Sequence, residues 1–372
     1  MNCGRWHADI AICAEKRQME EIRQKKYIWI RADANEEIAS GHLMRMLSVA
    51  ESLRRGGAEV RFLLAEEESR KWLEKLTGDA EPFAADVLGI PYGNVTDELA
   101  IWETFLNCRE IKQPDWILVD SYAVTEPWFG ELRRLCTEAA EARGDRRPRI
   151  AYMDDQMAFD PPVDLVINYD PDAEELAKFY KAAPVRLLGA EYAPLRQQFV
   201  GLTPIVRDCV HRVLVSTGGT DPYGMGETLE SILRQAAKAK NADVEIVHMG
   251  PGYPRIQEVA SFLKSCDLAV SAAGTTLYEL CAAGVPTLTF SMADNQVTFA
   301  GKLAQVGAVD NLGDIRDPLI REKLPERVAS WLQKRLEEGK ETRFAKAKRM
   351  HAITDGNGSI RIAEALLQAA VI

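Results

Sequence analysis

The sequence has little of three features that would assign it to common classes of protein. Its seven cysteines form no CxxC pair, and their odd number in a chain of 372 residues predicts reduced thiols in the cytoplasm, without a disulfide framework. No apolar run approaches the ~20 residues needed to span a bilayer, so we expect no membrane partner. The formal net charge of −10 argues against general nucleic-acid binding, because that binding depends on clustered lysine and arginine.

The rest of the composition is that of a globular protein. Apolar residues make up 47% of the chain, enough to bury substantial cores, and its length predicts two or three domains. Residues 1–26 have a short apolar patch followed by dense charge, unlike a secretory signal. We therefore interpret them as an appendage ahead of the first strand.

Short apolar strands alternate with helical segments in two stretches, 27–190 and 209–345. This alternation predicts two α/β domains, each a doubly wound parallel sheet, with a ligand-binding cleft between them. Residues 191–208 predict a linker and 346–372 a C-terminal helical tail. The predicted strands are 27–31, 59–64, 116–119, 150–153, 165–167, 212–216, 244–248, 268–271 and 286–290. The predicted helices include 41–55, 68–76, 97–110, 127–142, 317–339 and 358–370.

The most informative stretch is 267–296. A predicted strand leads into a small-residue turn at Gly274, and Thr275 and Thr276 then open a helix. This arrangement predicts a diphosphate site, since the unpaired N–H groups and the dipole of a helix N-terminus favour negative charge. Glu279, one turn inside the helix, is suited to accept hydrogen bonds from a ribose. The stretch predicts a nucleotide-sugar site, and an ordinary helix cap in a βαβ crossover is the alternative.

A second candidate follows the first predicted strand. Gly41 and His42 begin a helix that also carries Arg45, and the N-terminus of this helix should face the cleft. A neutral imidazole there can take a proton from water, and the helix N-terminus disfavours its charged form. We interpret His42 as a candidate general base, against the alternative of a histidine that caps or packs.

Weaker candidates follow four other predicted strands. Gly218 and Gly219 suit either a diphosphate or an ordinary turn. Tyr122 suits a sugar contact or a position on the rim, and the acidic pair 154–155 suits a cleft floor or a turn. The D-x-D pattern at 170–172 has a central proline and two glutamates after it, which predicts a helix-capping turn. No cluster has metal-ligand spacing, so we expect no metal.

Several of these motifs together carry a family resemblance. They are Arg31-Ala32-Asp33, Gly41-His42-Leu43-Met44-Arg45, Val119-Asp120-Ser121-Tyr122, Met153-Asp154-Asp155, Gly189-Ala190-Glu191-Tyr192 with Leu195-Arg196, Thr217-Gly218-Gly219-Thr220-Asp221-Pro222, and the block 267–296. Over residues 27–310 the chain resembles the UDP-2,4-diacetamido-2,4,6-trideoxy-β-L-altropyranose hydrolases of pseudaminic acid biosynthesis. That family overlaps with proteins named for spore coat polysaccharide biosynthesis.

The resemblance implies a GT-B fold, in which two Rossmann-like domains enclose a cleft, as in the peptidoglycan transferase that adds N-acetylglucosamine to a lipid-linked muramyl peptide. It implies hydrolysis of a UDP-linked amino sugar, without metal or cofactor and with inversion, by water that His42 activates. It also implies that Glu279 holds the ribose and that the turn before it receives the diphosphate. The implied substrate-binding residues are Arg31, Asp33, Gly41, Arg45, Tyr122, Gly218, Gly219, Gly274, Thr275, Thr276, Glu279, Asp294, Asn295 and Gln296.

Two alternatives stay open, a GT-B glycosyltransferase that uses a UDP-amino sugar donor and a non-catalytic nucleotide-sugar binder. One difference from the family favours the non-catalytic binder. Only residues 251–267 separate two consecutive predicted strands where the family usually has a further βα segment. In the family, that segment helps to form the wall that binds the nucleotide base. We expect a monomer, because the cleft between two domains is already a complete site.

Overall fold

Two parallel β-sheets organise the part of the chain that the computed structural model describes, residues 25–36, 38, 40–254 and 256–368. The first half contains β1 (Tyr27–Ala32), α1 (Gly41–Arg55), β2 (Glu59–Leu64), α2 (Glu67–Thr77), β3 (Ala84–Val87), α3 (Val95–Asn107), β4 (Trp116–Asp120), α4 (Glu126–Arg143), β5 (Arg149–Met153), β6 (Leu165–Asn168), α5 (Ala173–Phe179) and β7 (Val185–Leu188). The second half contains β8 (Arg212–Ser216), α6 (Met225–Ala239), β9 (Glu245–Met249), α7 (Val259–Ser265), β10 (Leu268–Ala272), α8 (Thr275–Ala283), β11 (Thr287–Ser291), α9 (Asp294–Gln305), β12 (Asp310–Asp314), α10 (Pro318–Glu322), α11 (Leu324–Glu337), α12 (Lys340–His351) and α13 (Gly358–Gln368).

The first sheet has the strand order β3-β2-β1-β4-β5-β6-β7. Every residue of β1 and β4 is buried, as expected for central strands covered by helices on both faces. Ala32 pairs with Asp120, so these two strands end side by side at the carboxyl edge of the sheet. This register brings the residue that ends β4 next to the loop that leads into α1.

The second sheet has the order β12-β11-β10-β8-β9. Listed from β9 to β12, its five strands follow the same order as β2-β1-β4-β5-β6 of the first sheet. The second sheet has no counterpart of β3 among the described residues. The chain passes from β9 to β10 through one short helix, α7, so among the described residues no strand pairs with the outer edge of β9. The expectation that residues 251–267 are too short for a further βα segment is confirmed.

The remaining differences from the sequence-based elements lie mainly at sheet edges and near the C-terminus. Strands β3, β7 and β12 were not predicted, because they are short edge strands without a continuous apolar run, and helix α12 was not predicted either. The single helix predicted over 317–339 is two helices, since Pro325 has no N–H to continue α10. Residues 1–24 and 369–372, which include most of the predicted appendage and the end of the predicted tail, lie outside the described residues.

Contacts join the two sheets beside the cleft. The hydroxyl of Tyr278 on α8 donates to the carbonyl of Tyr169, which follows β6, at 2.7 Å. Lys302 on α9 donates to Asp170 at 2.7 Å. The C-terminal helix α13 packs along α1, the first helix of the other half. These contacts hold the carboxyl ends of both sheets towards one another. No helix among the described residues is long and apolar enough to cross a membrane.

Candidate active site in the interdomain cleft

The cleft gathers loops and helix starts from the carboxyl ends of both sheets. The first half contributes residues after β1, β4, β5 and β6, and the second half contributes residues after β10 and β11. The predicted site residues that line it are Gly41, His42, Arg45, Tyr122, Gly274, Thr275, Asn295 and Gln296. The cleft therefore brings the predicted base and the predicted diphosphate turn into one site.

His42 is held by a buried carboxylate at the end of β4. Its Nδ1 lies 2.6 Å from Oδ1 of Asp120, and both side chains are almost fully buried. A carboxylate only accepts hydrogen bonds, so in the neutral imidazole Nδ1 carries the proton and Nε2 keeps its lone pair. Nη2 of Arg45 also lies 3.2 Å from Nδ1, and no described residue hydrogen-bonds with Nε2. This arrangement leaves the imidazole able to accept a proton from a molecule in the cleft.

Arg45, one turn after His42 on α1, fixes the same carboxylate. Its Nε and Nη2 donate to the two oxygens of Asp120 at 2.6 and 2.5 Å. Burial alone would raise the pKa of Asp120, but the charge of Arg45 and the contact with His42 lower it to about 2. Asp120 is therefore ionised at neutral pH, which lies far above its pKa.

The other end of the Arg45 guanidinium reaches the cleft wall. Its Nη1 donates to Asp155 and to the hydroxyl of Tyr169, each at 2.6 Å. Arg45 is 5% exposed. Arg45 thus contacts Asp120, behind the candidate base, and two residues of the cleft wall, and in this way it orders the site. The sequence analysis had proposed Arg45 only as a substrate contact.

Tyr122 forms a wall beside the candidate base. Its ring lies edge-on to the ring of His42, with centroids 4.3 Å apart, and its hydroxyl donates to Asp155 at 3.0 Å. Burial, and then the charge of Asp155, raise the pKa of this phenol above its usual range. Tyr122 is therefore a neutral hydrogen-bond donor, and it remains 37% exposed to the cleft.

The opposite wall begins with the N-terminus of α8. Gly274 precedes the helix with an extended backbone, no side chain caps the helix, and its first turn contains no acidic residue. The first N–H groups of such a helix point outward without a partner, and they carry the positive end of the helix dipole. Gly274 and Thr275 face the cleft, so the geometry suits an anion there.

The start of α9 completes this wall. Asn295 and Gln296 both line the cleft, and Gln296 also accepts a hydrogen bond from the N–H of Met292 at 2.9 Å. Asp294, the first residue of α9, instead pairs with Arg316 at 2.6 Å and does not line the cleft. The amide of Asn295 is thus the polar side chain of α9 most available to a ligand.

Other predicted site residues lie outside the cleft. Arg31 is buried and donates to Glu98 at 2.7 and 2.9 Å and to Asp33. Asp33 in turn accepts from the N–H of Ala65 at 2.7 Å. This buried network lies within the first half, where it supports the turn after β1 instead of facing a ligand.

The remaining predicted residues lie in the second half. Gly218 and Gly219 form a turn after β8, where Gly218 needs a positive φ of 82°, and neither lines the cleft. Thr276 is half-buried and does not line it either. Glu279 is 5% exposed, and its carboxylate faces Arg196 from the segment between the two sheets.

The D-x-D pattern behaves as the sequence predicted. Asp172 caps α5, accepting from the N–H of Glu175 at 3.0 Å, while Asp170 binds Lys302. The prediction of a helix-capping turn is confirmed. Among the described residues, no group of three or more histidine, cysteine, aspartate or glutamate side chains is placed to hold a metal ion.

Sequence reasoning missed the role of Asp120. The sequence analysis named this residue only within the motif that ends at Tyr122 and did not pair it with His42. The available signal was the order of the strands, because a carboxylate that ends the strand beside β1 lies next to a helix that starts after β1. That order cannot be deduced from local patterns alone.

Comparison with known proteins adds distant relatives. No family model matches the chain. The spore coat polysaccharide biosynthesis protein SpsG of Bacillus subtilis is 24% identical over 209 residues, which are 51% of this chain and 58% of SpsG. The pseudaminic acid cytidylyltransferase and UDP-2,4-diacetamido-2,4,6-trideoxy-β-L-altropyranose hydrolase of Helicobacter pylori is 25% identical over 210 residues, 52% of this chain and 37% of that protein. The chain thus spans about half of the length of the curated relatives it matches.

Solved structures identify the architecture. MurG of Acinetobacter baumannii superposes with a TM-score of 0.60 at 15% identity, over 92% of this chain and 99% of that chain. The chain has the GT-B fold. The rhamnosyltransferase SpnG, complexed with thymidine diphosphate, gives a TM-score of 0.56 at 15% identity, over 92% of this chain and 99% of that one. Arabidopsis thaliana UGT89C1, complexed with UDP, gives 0.57 at 14%, with the same coverage. At such identities the likeness establishes the fold alone, and it confirms the predicted fold class.

Proposed function

We propose that this chain binds a UDP-linked amino sugar in the interdomain cleft and hydrolyses it to UDP and the free sugar. The observation that carries the proposal is the pairing of His42 with Asp120 on one wall of the cleft, opposite the uncapped N-terminus of α8 on the other. A proton acceptor and an anion site that share one cleft are the groups that hydrolysis of a glycosyl diphosphate needs.

The proposed reaction is a single displacement. Water attacks the anomeric carbon on the face opposite the diphosphate, and the bond from that carbon to the UDP oxygen breaks, so that UDP leaves with the electron pair. Nε2 of His42 takes the proton of the water, and Asp120 stabilises the imidazolium that forms. The N–H groups at the start of α8 stabilise the charge on the departing diphosphate, so a strong general acid is unnecessary. The free sugar has the inverted configuration.

Water as the nucleophile is supported by the crowding around His42. The Tyr122 ring lies against the imidazole and its hydroxyl is held by Asp155, so a bulky acceptor would have to displace both contacts. The name of the Helicobacter pylori relative includes hydrolysis of a UDP-linked diacetamido sugar, and this is the origin of the proposed sugar class. We further propose that the chain acts in the cytoplasm as a monomer without a cofactor.

A glycosyltransferase with a UDP-amino sugar donor is the second candidate. The GT-B neighbours favour it, since SpnG is named a rhamnosyltransferase, and it differs only in that an acceptor hydroxyl replaces water. A non-catalytic nucleotide-sugar binder is the third candidate. The short connection from β9 to β10 favours it. This connection lacks the βα segment that, in the family the chain resembles, helps to bind the nucleotide base.

Substitution of the candidate base separates these functions. We expect His42→Gln to lower the rate of UDP release from the UDP-sugar by roughly 10²- to 10⁴-fold while calorimetric UDP binding is retained. His248→Gln is the matched control, because His248 also pairs with a carboxylate, Glu230 at 2.9 Å, but lies outside the cleft. Unchanged hydrolysis in His42→Gln would remove this residue from the mechanism. UDP release that begins only when an acceptor is added would favour the transferase.

A further inference from the structure

Three tyrosines of the described chain line the cleft, Tyr122, Tyr169 and Tyr278. The hydroxyl of Tyr122 donates its proton to Asp155 at 3.0 Å. The hydroxyl of Tyr278 donates to the carbonyl of Tyr169 at 2.7 Å. The hydroxyl of Tyr169 accepts a hydrogen bond from Nη1 of Arg45 at 2.6 Å, and no described group accepts its own proton. Tyr169 therefore keeps an unused hydrogen-bond donor in the wall of the cleft.

Tyr169 touches both walls of the cleft. Its backbone lies against α8, because Tyr278 donates to its carbonyl and the two rings pack edge to face with centroids 5.3 Å apart. Its hydroxyl reaches Arg45 on α1, one turn after His42. The start of α8 is the proposed diphosphate site and His42 is the candidate base. The free donor thus lies on the base side of the cleft, where the sugar of a UDP-sugar would lie.

The Tyr169 hydroxyl keeps its proton at neutral pH. Tyr169 is 7% exposed, and burial raises the pKa of its phenol above the usual range, although the charge of Arg45 opposes this shift. The hydrogen bond from Arg45 also polarises the hydroxyl and strengthens it as a donor. A shielded donor without an acceptor costs free energy, and this cost disappears when a ligand supplies the acceptor.

The charges beside this donor favour a neutral acceptor. Arg45 donates to two carboxylates, Asp120 and Asp155, so its single positive charge is offset. Asp155 and the Tyr169 hydroxyl each lie 2.6 Å from the same nitrogen of Arg45, so a carboxylate stands next to the donor. An anionic substituent would be repelled there. A neutral carbonyl oxygen accepts a hydrogen bond without that repulsion.

We propose that the Tyr169 hydroxyl binds the carbonyl oxygen of an N-acyl group at C2 of the sugar, so that the site selects 2-acylamino sugars over sugars with a hydroxyl at C2. The inference rests on the proposed function, which places the anomeric carbon beside His42. C2 is bonded to that carbon, and Arg45 joins Tyr169 to the helix that carries His42. A sugar without the acyl group leaves the donor unpaired, and sites built around a hydrogen bond reject such analogues.

Calorimetric titration with UDP-N-acetylglucosamine and UDP-glucose tests the proposal, because these ligands differ only in the substituent at C2. In the unmodified protein we expect UDP-N-acetylglucosamine to bind roughly 3- to 10-fold more tightly, the ratio that one neutral hydrogen bond supplies. Tyr169→Phe keeps the ring and removes the hydroxyl, so it should bring the ratio to about one while UDP alone binds as before. The same titrations in the His42→Gln background exclude heat from turnover of the ligands.

Tyr152→Phe is the matched control. Tyr152 is a buried tyrosine of β5 whose hydroxyl donates to the carbonyl of Ser121 at 3.3 Å, and it does not line the cleft. This variant should leave the ratio unchanged. Circular dichroism checks that each variant is folded. If Tyr169→Phe does not fold, saturation-transfer NMR of UDP-N-acetylglucosamine with the unmodified protein decides. The acetyl methyl should then receive as much transfer as the ribose protons, and much weaker transfer refutes the proposal.

The outcomes separate the possible failures. Equal binding of the two UDP-sugars by an unmodified protein that binds UDP refutes the selection for an N-acyl group, and leaves the proposed nucleotide site standing. A preference that persists in Tyr169→Phe refutes the role of Tyr169. If neither UDP nor either UDP-sugar binds, the proposed function itself is wrong.

Discussion

Replacing Asp120 with asparagine tests whether the carboxylate that holds His42 is needed for His42 to act as a base. The carboxylate of Asp120 accepts from Nδ1 of His42 and from two nitrogens of Arg45. Because Arg45 donates to both carboxylate oxygens, an asparagine amide opposes its NH₂ group to one Arg45 N–H in either orientation. With the NH₂ group at the Oδ1 position, it donates to Nδ1 of His42, and the imidazole proton moves to Nε2, where it blocks the base. With the amide oxygen at that position, the tautomer is kept, but the negative charge that stabilises the imidazolium is lost.

The size of the effect follows from the same contacts. The pKa of Asp120 is about 2, against 3.8 for an unperturbed carboxyl, and this difference corresponds to about 2 kcal/mol of stability from the ionised form at neutral pH. We expect Asp120→Asn to lose about that much stability. The blocked base should lower kcat by roughly 10³- to 10⁴-fold, the scale seen when a carboxylate that orients a histidine is changed to an amide.

Steady-state kinetics and urea denaturation measure the two effects separately. UDP binding should be unchanged, because Asp120 does not touch the start of α8. Asp267→Asn is the control, since Asp267 is also buried and paired with an arginine but lies at the start of β10, away from the cleft. It should lose stability without losing kcat. A variant Asp120→Asn that keeps kcat within about threefold would refute the role of the His42–Asp120 pair, since loss of a general base costs far more.

Three further predictions follow from the cleft. Tyr122→Phe removes the donor to Asp155, so kcat/KM for the UDP-sugar should fall roughly 3- to 10-fold with little change in stability, and unchanged kinetics would contradict a sugar-side role. Tyr278→Phe leaves the buried carbonyl of Tyr169 without its donor and should lower the free energy of unfolding by about 1 to 2 kcal/mol in urea, whereas no loss would show that this interdomain contact is unimportant. The pKa of Asp120 is lowered to about 2, so its stabilisation is complete above pH ~4 and disappears as the pH falls towards 2. The stability difference between the unmodified protein and Asp120→Asn should accordingly shrink as the pH falls below ~4; a difference that persists undiminished to pH ~2 would contradict this account.

Much of the fold was predictable because its central strands are short apolar runs between helices with clear ends. The helix at 41–55 and the strands at 59–64 and 212–216 have the predicted bounds. The edge strand β12, by contrast, has the sequence Asp-Asn-Leu-Gly-Asp, and among the described strands it pairs with β11 alone. Its structure depends on a partner that local sequence does not reveal.

The site was predictable where one motif supplies both the residue and its position. A helix that follows a parallel strand places His42 and Gly274 at the carboxyl edges of their sheets. Contacts between distant segments were not predictable in this way. The partners of Arg45 lie at or just after the ends of three different strands, β4, β5 and β6. The pairing of Arg196 with Glu279 depends on how the segment between the sheets packs.

The most direct test of the proposed function is an NMR time course of the purified protein with UDP-2,4-diacetamido-2,4,6-trideoxy-β-L-altropyranose, with EDTA present and no acceptor added. The account predicts release of UDP together with initial formation of the sugar anomer of opposite configuration, and the loss of both signals in His42→Gln. Retention of the anomeric configuration, or UDP-sugar that binds and is never cleaved, would contradict it.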